Sequence, residues 1–159
     1  MATVRAMYGP ARFLEDDPAE VVAMLKIAAF GHLVAVGDGG LESAAMPFVV
    51  DVAGDRVAHV RGHLARANRF WRLAVDAPTE VIVIVPGVDG YVSPSWYPSK
   101  AEHGRVVPTW NYEVVHVHGR MAVRDDAAWV ERLVRDLTDR HERDRATPWS
   151  VDDAPREFI

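Results

Sequence analysis

The sequence predicts a mostly β fold of short antiparallel strands, with one helix before the strands and one after them. Short segments alternate apolar and polar residues or consist of β-branched residues, glycine-rich turns separate them, and clear helical spacing occurs near the two ends. Strands at such short intervals favour a small antiparallel barrel over parallel βαβ units. We therefore expect a sheet that closes on itself.

Composition narrows the classes of protein that the chain can represent. The 159 residues suit one domain, and the absence of cysteine excludes disulfides, thiolate metal sites and cysteine nucleophiles. No apolar run approaches the roughly 20 residues that span a bilayer, and residues 1–10 do not resemble a signal peptide. We expect a soluble cytoplasmic protein with no membrane partner.

The net charge of -5 repels nucleic acid, so DNA binding would need a local basic patch.

The first helix is predicted to begin after Asp17. Asp17 can cap it, Pro18 suits the first turn and Glu20 would complete a capping box, while Gly31 marks a plausible end. A helix of this kind would cover one face of the strands that follow.

A hairpin follows the first helix. His32–Val36 is apolar and β-branched, Gly37–Gly40 can supply the turn, and Leu41–Asp51 forms the second strand. Pro47 lies inside that second strand and cannot donate a ladder hydrogen bond, so it predicts an edge or a bulge there.

The middle of the chain predicts two more strands with a short helix between them. Val57–His63 alternates, which places His59 and His63 on one polar face together with Arg61. Arg66–Val75 reads as a short helix, and the apolar run Glu80–Val85 is typical of a central strand buried on both faces.

The last third of the sequence begins with a segment that has no regular pattern. Gly87–Pro108 is too aromatic for a solvated linker and predicts a long ordered loop, after which Val114–Val123 alternates as a strand. Asp125 and Asp126 can cap a final helix, whose apolar residues recur at helical spacing through Leu137.

One local basic patch exists in this acidic chain. Between Asp55 and Asp76 there is no acidic residue, and Arg66 lies where a strand passes into the predicted short helix. A helix start offers free N–H groups and arginine offers bidentate hydrogen bonds, so this segment can bind a phosphate. An exposed helix face that forms ion pairs explains the same pattern. The patch contains Arg56, His59, Arg61, His63, Arg66, Arg69 and Arg72.

Two segments combine aromatic rings with hydroxyl and amide groups. Ser93–Lys100 and Val107–Tyr112 have the side chains that stack on a planar ring and satisfy its polar edge. The alternative is that these aromatics only pack the loop onto the barrel.

Histidines give a weaker signal. His116 and His118 would share one strand face, and His59 and His63 could do the same nearby, a spacing compatible with zinc or iron. No carboxylate follows at a suitable interval on that face, so we predict no metal site. Motifs of serine hydrolases, phosphate-binding loops and zinc proteases are absent.

Three strings resemble those of one family, the PaiB-type FMN-binding negative transcriptional regulators. They are GHLARAN at Gly62–Asn68, YVSPSWY at Tyr91–Tyr97 and VPTWNY at Val107–Tyr112. Further matches are Met7–Tyr8, Leu137–Glu142 and Pro148–Val151. The resemblance therefore covers nearly the whole chain.

The resemblance implies an FMN-binding split β-barrel of antiparallel Greek-key type, one domain over residues 1–159, that works as a homodimer with flavin sites at the subunit interface. It implies that Arg66, helped by His63 and Asn68, holds the FMN phosphate, with Lys100 a further candidate. The flavin ring and ribityl chain would be lined by Ser93, Ser95, Trp96, Trp110 and Asn111, some of them from across the dimer.

The chain departs from the family pattern at two places. Many members have proline after the asparagine that matches Asn68, where this chain has Arg69. Many also continue past the segment that matches Phe158–Ile159, and we expect this domain to lack that C-terminal stretch.

The expected function is that of a flavin-binding negative transcriptional regulator or a flavin-dependent redox protein with a small-molecule substrate. The sequence identifies no catalytic acid or base. Direct DNA binding stays open, since no helix-turn-helix with a basic recognition helix is recognisable. The alternative is a haem-binding or flavin-free split barrel that acts through protein contacts, with His59, His63, His116 or His118 as iron ligand.

Overall fold

The computed structural model describes residues 3–4 and 9–155, so the matches at Met7–Tyr8 and Phe158–Ile159 lie outside the described residues. The strands are β1 (Thr3–Val4), β2 (Phe30–Gly37), β3 (Gly40–Ala53), β4 (Arg56–Gly62), β5 (Thr79–Val92) and β6 (Thr109–Met121). The α-helices are α1 (Pro18–Ala28), α2 (Ser99–His103) and α3 (Ala127–Glu142). Short 3-10 helices lie at Ala11–Phe13, Arg69–Ala74, Pro94–Trp96 and Val151–Asp153.

The strands form one antiparallel sheet in the order β1-β6-β5-β2-β3-β4. Strands β2, β3 and β4 follow one another, and β5 returns beside β2, which is Greek-key order. The predicted mostly β, antiparallel fold with flanking helices is therefore confirmed, in a form consistent with a split barrel. The expected closure is wrong: among the described residues no pairing joins β1 to β4. Closure depends on strand tilt and stagger, which a hydrophobic pattern does not encode.

Strand β3 changes partner at the proline that the sequence singled out. Its first half pairs with β2 as far as Pro47, which lies opposite Phe30, and its second half pairs with β4 from Phe48 onward. A bulge follows between Asp51 and Val52. Proline without an N–H suits the point where one ladder ends and the next begins.

Strands β5 and β6 are longer than predicted, which corrects the expectation of a loop over Gly87–Pro108. After an irregularity between Pro86 and Asp89, pairing resumes and runs as far as Val92 opposite Thr109. We call residues 89–112 the arm; it consists of these two strand ends, the Pro94–Trp96 turn and α2. The glycines and prolines of this segment are typical of turns and loops, so the sequence pattern did not indicate that the strands continue.

The core lies between the inner face of the sheet and α1. Leu33, Phe48 and Val85 come from three strands, and Leu25 of α1 packs among them. Asp17 caps α1 as predicted by accepting a hydrogen bond from the Ala19 N–H at 2.8 Å. Among the described hydrogen bonds Glu20 does not complete a capping box, and the helix ends at Ala28, before Gly31.

Helix α3 covers the opposite face of β3. Leu133 and Leu137 pack against Val49, with Trp129 beside them. Asp126 caps α3 by accepting a hydrogen bond from the Trp129 N–H at 2.7 Å, as predicted. This packing fixes the N-terminal end of α3 next to β4. No helix among the described residues is long and apolar enough to cross a membrane.

Candidate functional site

A pocket of about 470 Å³ opens between β4, the C-terminal half of β6 and the start of α3. Its apolar wall includes Leu33, Met46 and Val83 from the inner face of the sheet, and Trp71 and Trp129 also line it. A pocket of this size and apolar character can hold an organic ligand. Its position beside β4 places it where the sheet fails to close.

The polar lining of this pocket is strongly basic. The cationic side chains are Arg61, Arg66, Arg120 and Arg124, with His59 and His63 beside them. Among the described lining residues the acidic side chain is Asp125. The predicted basic patch therefore supplies one wall, while Arg120 and Arg124 come from the end of β6 and the segment after it.

Arg61 is held in place by two carboxylates. Its Nε and Nη2 donate to Asp51 at 2.7 and 2.8 Å, and its Nη1 donates to Asp136 of α3 at 2.9 Å. The hydrogen bonds to Asp51, opposed by burial, raise the pKa of Arg61 above its usual value. Arg61 thus links β3, β4 and α3. Its positive charge is already neutralised by the two carboxylates.

Arg66 lies at the mouth of the pocket, in the segment after β4. Its Nη2 and Nη1 donate to Asp125 at 2.5 and 3.2 Å. The arginine side chain is 80% exposed and that of Asp125 63%. Each group shifts the pKa of the other, so the pKa of Arg66 is raised and that of Asp125 is lowered by their hydrogen bonds. The Arg66 Nε–H takes no part in these bonds.

The segment around Arg66 has a fixed backbone. The Asn68 Oδ1 accepts a hydrogen bond from the Phe70 N–H at 3.0 Å and so caps the 3-10 helix. The Trp71 Nε1 donates to the Arg66 carbonyl oxygen at 3.2 Å. Asn68 does not line the pocket, and this hydrogen bond to the backbone is a helix-capping contact. The short helix is 3-10 and begins at Arg69, later than the predicted Arg66.

The other predicted flavin residues all lie on the arm. The Ser93 Oγ accepts from the Ser95 N–H at 3.2 Å, and the Lys100 Nζ donates to the Ser95 Oγ at 3.2 Å. Trp96 is 68% exposed and, with Ser95 and Lys100, borders an open depression. The arm therefore presents a second polar and aromatic surface.

The strand part of the arm carries Trp110 and Asn111. The Trp110 Nε1 donates to the Asp89 Oδ1 at 3.1 Å, and its ring lies 6.2 Å from that of Tyr91. Asn111 pairs in register with Gly90. Both Trp110 and Asn111 are exposed to solvent.

The structure does not bring the two groups of predicted residues together in one chain. The pocket contains His63 and Arg66 but none of the arm residues. Val83 of β5 lines the pocket, and Tyr91 on the same strand lies eight residues further along, a span of about 25 Å for an extended strand. One chain alone therefore presents the two groups of predicted residues on two separate surfaces.

The histidines also divide into two groups. His59 and His63 line the pocket. His116 and His118 share a face of β6, and strand register places His32 on the same face, away from the buried Val115 and Val117. The two pairs are therefore not neighbours, and the described residues contain no cluster of three or more metal-ligating side chains.

Sequence reasoning missed several residues of the pocket. Asp125 was predicted only as a helix cap, yet it pairs with an arginine 59 positions earlier in the chain. Arg120 and Arg124 lie at the end of a strand and just beyond it. Nothing in local spacing shows that these residues face the Arg66 segment, because their approach depends on the Greek-key return of the chain.

Comparison with known proteins gives one family. The family model described as "Putative FMN-binding domain" matches residues 7–159. The chain is 36% identical over 110 residues to an uncharacterized protein of Saccharomyces cerevisiae, YKL070W, a match that covers 68% of this chain and 64% of the yeast protein.

Two further relatives come from a bacterium and a mould. The chain is 29% identical over 142 residues to the "Protease synthase and sporulation protein PAI 2" of Bacillus subtilis, covering 89% of this chain and 65% of that protein. It is 30% identical over 159 aligned residues to an uncharacterized protein of Aspergillus fumigatus, a match that covers 75% of this chain and 61% of the Aspergillus protein. The match thus spans less than two thirds of the length of each of these relatives.

Proposed function

From the premise that this chain belongs to the family of FMN-binding domains, we propose that it is a PaiB-type protein that binds FMN between two copies of itself. The phosphate lies at the mouth of the basic pocket, on Arg66 and His63. The flavin ring lies against the arm of the second copy. The observation that carries this proposal is the exposed guanidinium of Arg66 at the entrance to the pocket.

The pocket mouth suits a phosphate monoester. A phosphate carries about two negative charges near neutral pH and three acceptor oxygens, and arginine binds such a group with paired, charge-assisted hydrogen bonds. The lining contains Arg66, Arg120 and Arg124 within one surface. Because Arg61 is already paired with two carboxylates, the other arginines are the better candidates.

The arm suits the planar ring of a flavin. Trp96 and Trp110 offer exposed aromatic faces, and Ser95, Lys100 and Asn111 offer hydrogen-bonding groups. Aromatic stacking combined with a few polar contacts is the usual way of holding a flat polar ring. Since the arm is about 25 Å along β5 from the pocket of its own chain, a second copy must supply it.

One face of the sheet is not covered by any of the residues that the structure describes, and this supports the pairing of two copies. We call the side of β2, β5 and β6 away from the core, together with the first half of β3, the outer face. Phe30, Val36 and Leu41 on it are 48%, 70% and 79% exposed, and Ile82 and Ile84 lie between them and β6. An apolar strip of this kind is typical of a subunit interface.

Bound FMN would supply reversible transfer of electrons or hydride. The residues of the chain would bind and orient it: Arg66 holds the phosphate, His63 adds a hydrogen-bond donor, and the apolar pocket wall excludes water. No side chain is assigned as a proton donor. The small-molecule substrate and the cytoplasmic location stay predictions.

A regulatory role is the second part of the proposal. Its support is the relative from Bacillus subtilis, whose name refers to a protease synthase and sporulation. Direct contact with DNA has less support, because the chain carries a net charge of -5, which repels nucleic acid. We infer that regulation proceeds through a protein partner, and a gel shift with promoter DNA that survives moderate salt would overturn this inference.

The test of flavin binding is retention of FMN absorbance after incubation with FMN and desalting. We expect the wild type to retain flavin bands and Arg66→Ala to lose them. Arg69→Ala is the matched control, since Arg69 is exposed in the same segment and does not line the pocket. A colourless wild type, or equal retention by both variants, would contradict the proposal. A Soret band instead of flavin bands would indicate haem.

The test of the dimer is the mass in solution by light scattering. We expect twice the chain mass for the wild type and a shift toward the monomer for Leu41→Asp, which places a charge on the outer face. Ile27→Asp is the control, because Ile27 is 84% exposed on α1, which covers the other side of the sheet. A monomeric wild type, or dissociation by both variants alike, would refute this interface.

A further inference from the structure

The proposed function assigns the FMN phosphate to the guanidinium of Arg66. In this structure the same guanidinium is paired with the carboxylate of Asp125. The carboxylate takes both terminal nitrogens of the guanidinium, at 2.5 and 3.2 Å. A phosphate that bound Arg66 end-on would need the same two donors. A phosphate that bound through Nε would lie beside the carboxylate charge. In either geometry the two anions compete.

The surroundings of Asp125 make this competition specific. Asp125 is the acidic residue among the described side chains that line the pocket, and three further arginines line the same pocket. The neighbouring Asp126 has a different task, since it caps α3 through the Trp129 N–H. Asp125 is therefore not required for the helix start, and its carboxylate accepts both of the hydrogen bonds described above from Arg66.

Exposure makes the contact easy to exchange. Both side chains are more than half exposed, at 80% and 63%, and exposed ion pairs contribute little to stability. A ligand phosphate can therefore displace the carboxylate without unfolding any element. The pKa of Asp125 is lowered by Arg66, so the competing charge is present throughout the neutral pH range.

We propose that Asp125 is a specificity-determining residue, which competes with the ligand phosphate for Arg66 and so weakens the preference of this site for FMN over riboflavin. The inference rests on the proposed function, because it assumes that the phosphate of FMN binds at Arg66. It goes beyond that function because it makes the flavin an exchangeable ligand. The arginines of the pocket would bind FMN more tightly if Asp125 were not there.

The test is a fluorescence titration of the full chain with FMN and with riboflavin, which lacks the phosphate. We expect Asp125→Asn to bind FMN about 3- to 10-fold more tightly, the size of effect given by removing one like charge beside a phosphate near the surface. Riboflavin affinity should stay within about twofold of wild type, since no charge faces it. Asp55→Asn is the control, since it removes the same charge from an exposed turn outside the pocket.

The Arg66→Ala background provides a second comparison. In that background Asp125→Asn should change FMN affinity less than it does in the wild type, because the guanidinium for which Asp125 and the phosphate compete is absent. Circular dichroism on each variant checks that the fold is retained.

The outcomes separate the inference from the proposed function. If the wild type binds neither flavin, both are overturned. If FMN binds but Asp125→Asn binds it no more tightly than Asp55→Asn, or tightens riboflavin equally, the inference is overturned and the proposed function stands. Weaker FMN binding by Asp125→Asn would also overturn it, because Asp125 would then orient Arg66 for the phosphate.

Discussion

Replacing Leu133 by alanine tests how α3 is held against the sheet. Leu133 has no exposed surface and packs with Leu137 and Val49, with Trp129 at the edge of the cluster. This contact fixes the start of α3, which forms one wall of the pocket. The variant should fold but lose a measurable part of its stability.

The expected loss is about 3 kcal/mol of unfolding free energy. Leu→Ala at a fully buried site costs about 2–5 kcal/mol, from lost transfer energy and from the cavity left behind. The lower half of this range applies because the cluster of Leu133 is small and lies between a helix and a sheet, where neighbours can partly close the gap. A domain stability of about 5–15 kcal/mol can absorb this loss.

Urea unfolding followed by tryptophan fluorescence measures the effect, at one protein concentration because association adds stability. With a slope of about 2 kcal/mol per molar urea, the midpoint should fall by about 1.5 M. Leu14→Ala is the matched control: its side chain is 42% exposed, so its midpoint should move by less than about 0.5 M. Equal midpoints for Leu133→Ala and Leu14→Ala would refute the proposed anchoring of α3.

Three further predictions follow from single contacts. Gly62→Ala should destabilise the protein by about 1–3 kcal/mol in thermal unfolding, because an added Cβ would lie 3.0 Å from the Pro47 carbonyl oxygen, which is fixed in the backbone, and 2.7 Å from the sulfur of the buried Met46; an unchanged Tm would contradict this. Arg61→Ala should lower the free energy of unfolding, measured with urea, by about 1–2 kcal/mol. The substitution leaves two carboxylates without their guanidinium, and their partial exposure to water keeps the loss small. A loss near zero would contradict this, because it would show that water replaces the guanidinium. The pKa of Asp125 is lowered by its hydrogen bonds with Arg66, so the small stabilisation from this exposed pair is present above the ordinary aspartate pKa and is lost as pH falls through the lowered value. NMR titration of the Asp125 carboxyl should give a pKa below the ordinary value of about 4 that returns toward it in Arg66→Ala, and an ordinary pKa in the wild type would contradict the pairing.

Much of the strand pattern could be predicted because burial leaves a local signature. The apolar run Glu80–Val85 predicted a central strand buried on both faces. Strand β5 is central, between β2 and β6, but within the described residues only its core side, with Val83 and Val85, is buried. Pro47 predicted an edge or a bulge in β3; instead the strand changes partner there, and the bulge lies further along, between Asp51 and Val52. Asp17 and Asp126 cap their helices as expected, since capping depends on neighbouring residues only.

The arm and the sheet edges could not be predicted in the same way. Strand β5 continues past Pro86 and Gly87 and pairs with β6 again from Asp89 through Gly90, although proline and glycine have low strand propensity by themselves. Closure failed as a prediction because it depends on how distant edges meet. Local alternation carries no information on that geometry.

The sequence supplied candidate site residues but not their arrangement. Arg66 and His63 do lie at the pocket, whereas Trp96 and Trp110 lie on the arm. Asn68 proved to be a cap for the following 3-10 helix. Asp125 reaches Arg66 only through the tertiary fold, so no spacing in the sequence could indicate it.

The most direct test of the account is a crystal structure of the chain grown with FMN. It should show the FMN phosphate on Arg66 and the flavin ring against Trp96 or Trp110 of a second copy, related by two-fold symmetry. A phosphate bound away from the pocket mouth, or a flavin held entirely within one chain, would contradict the account.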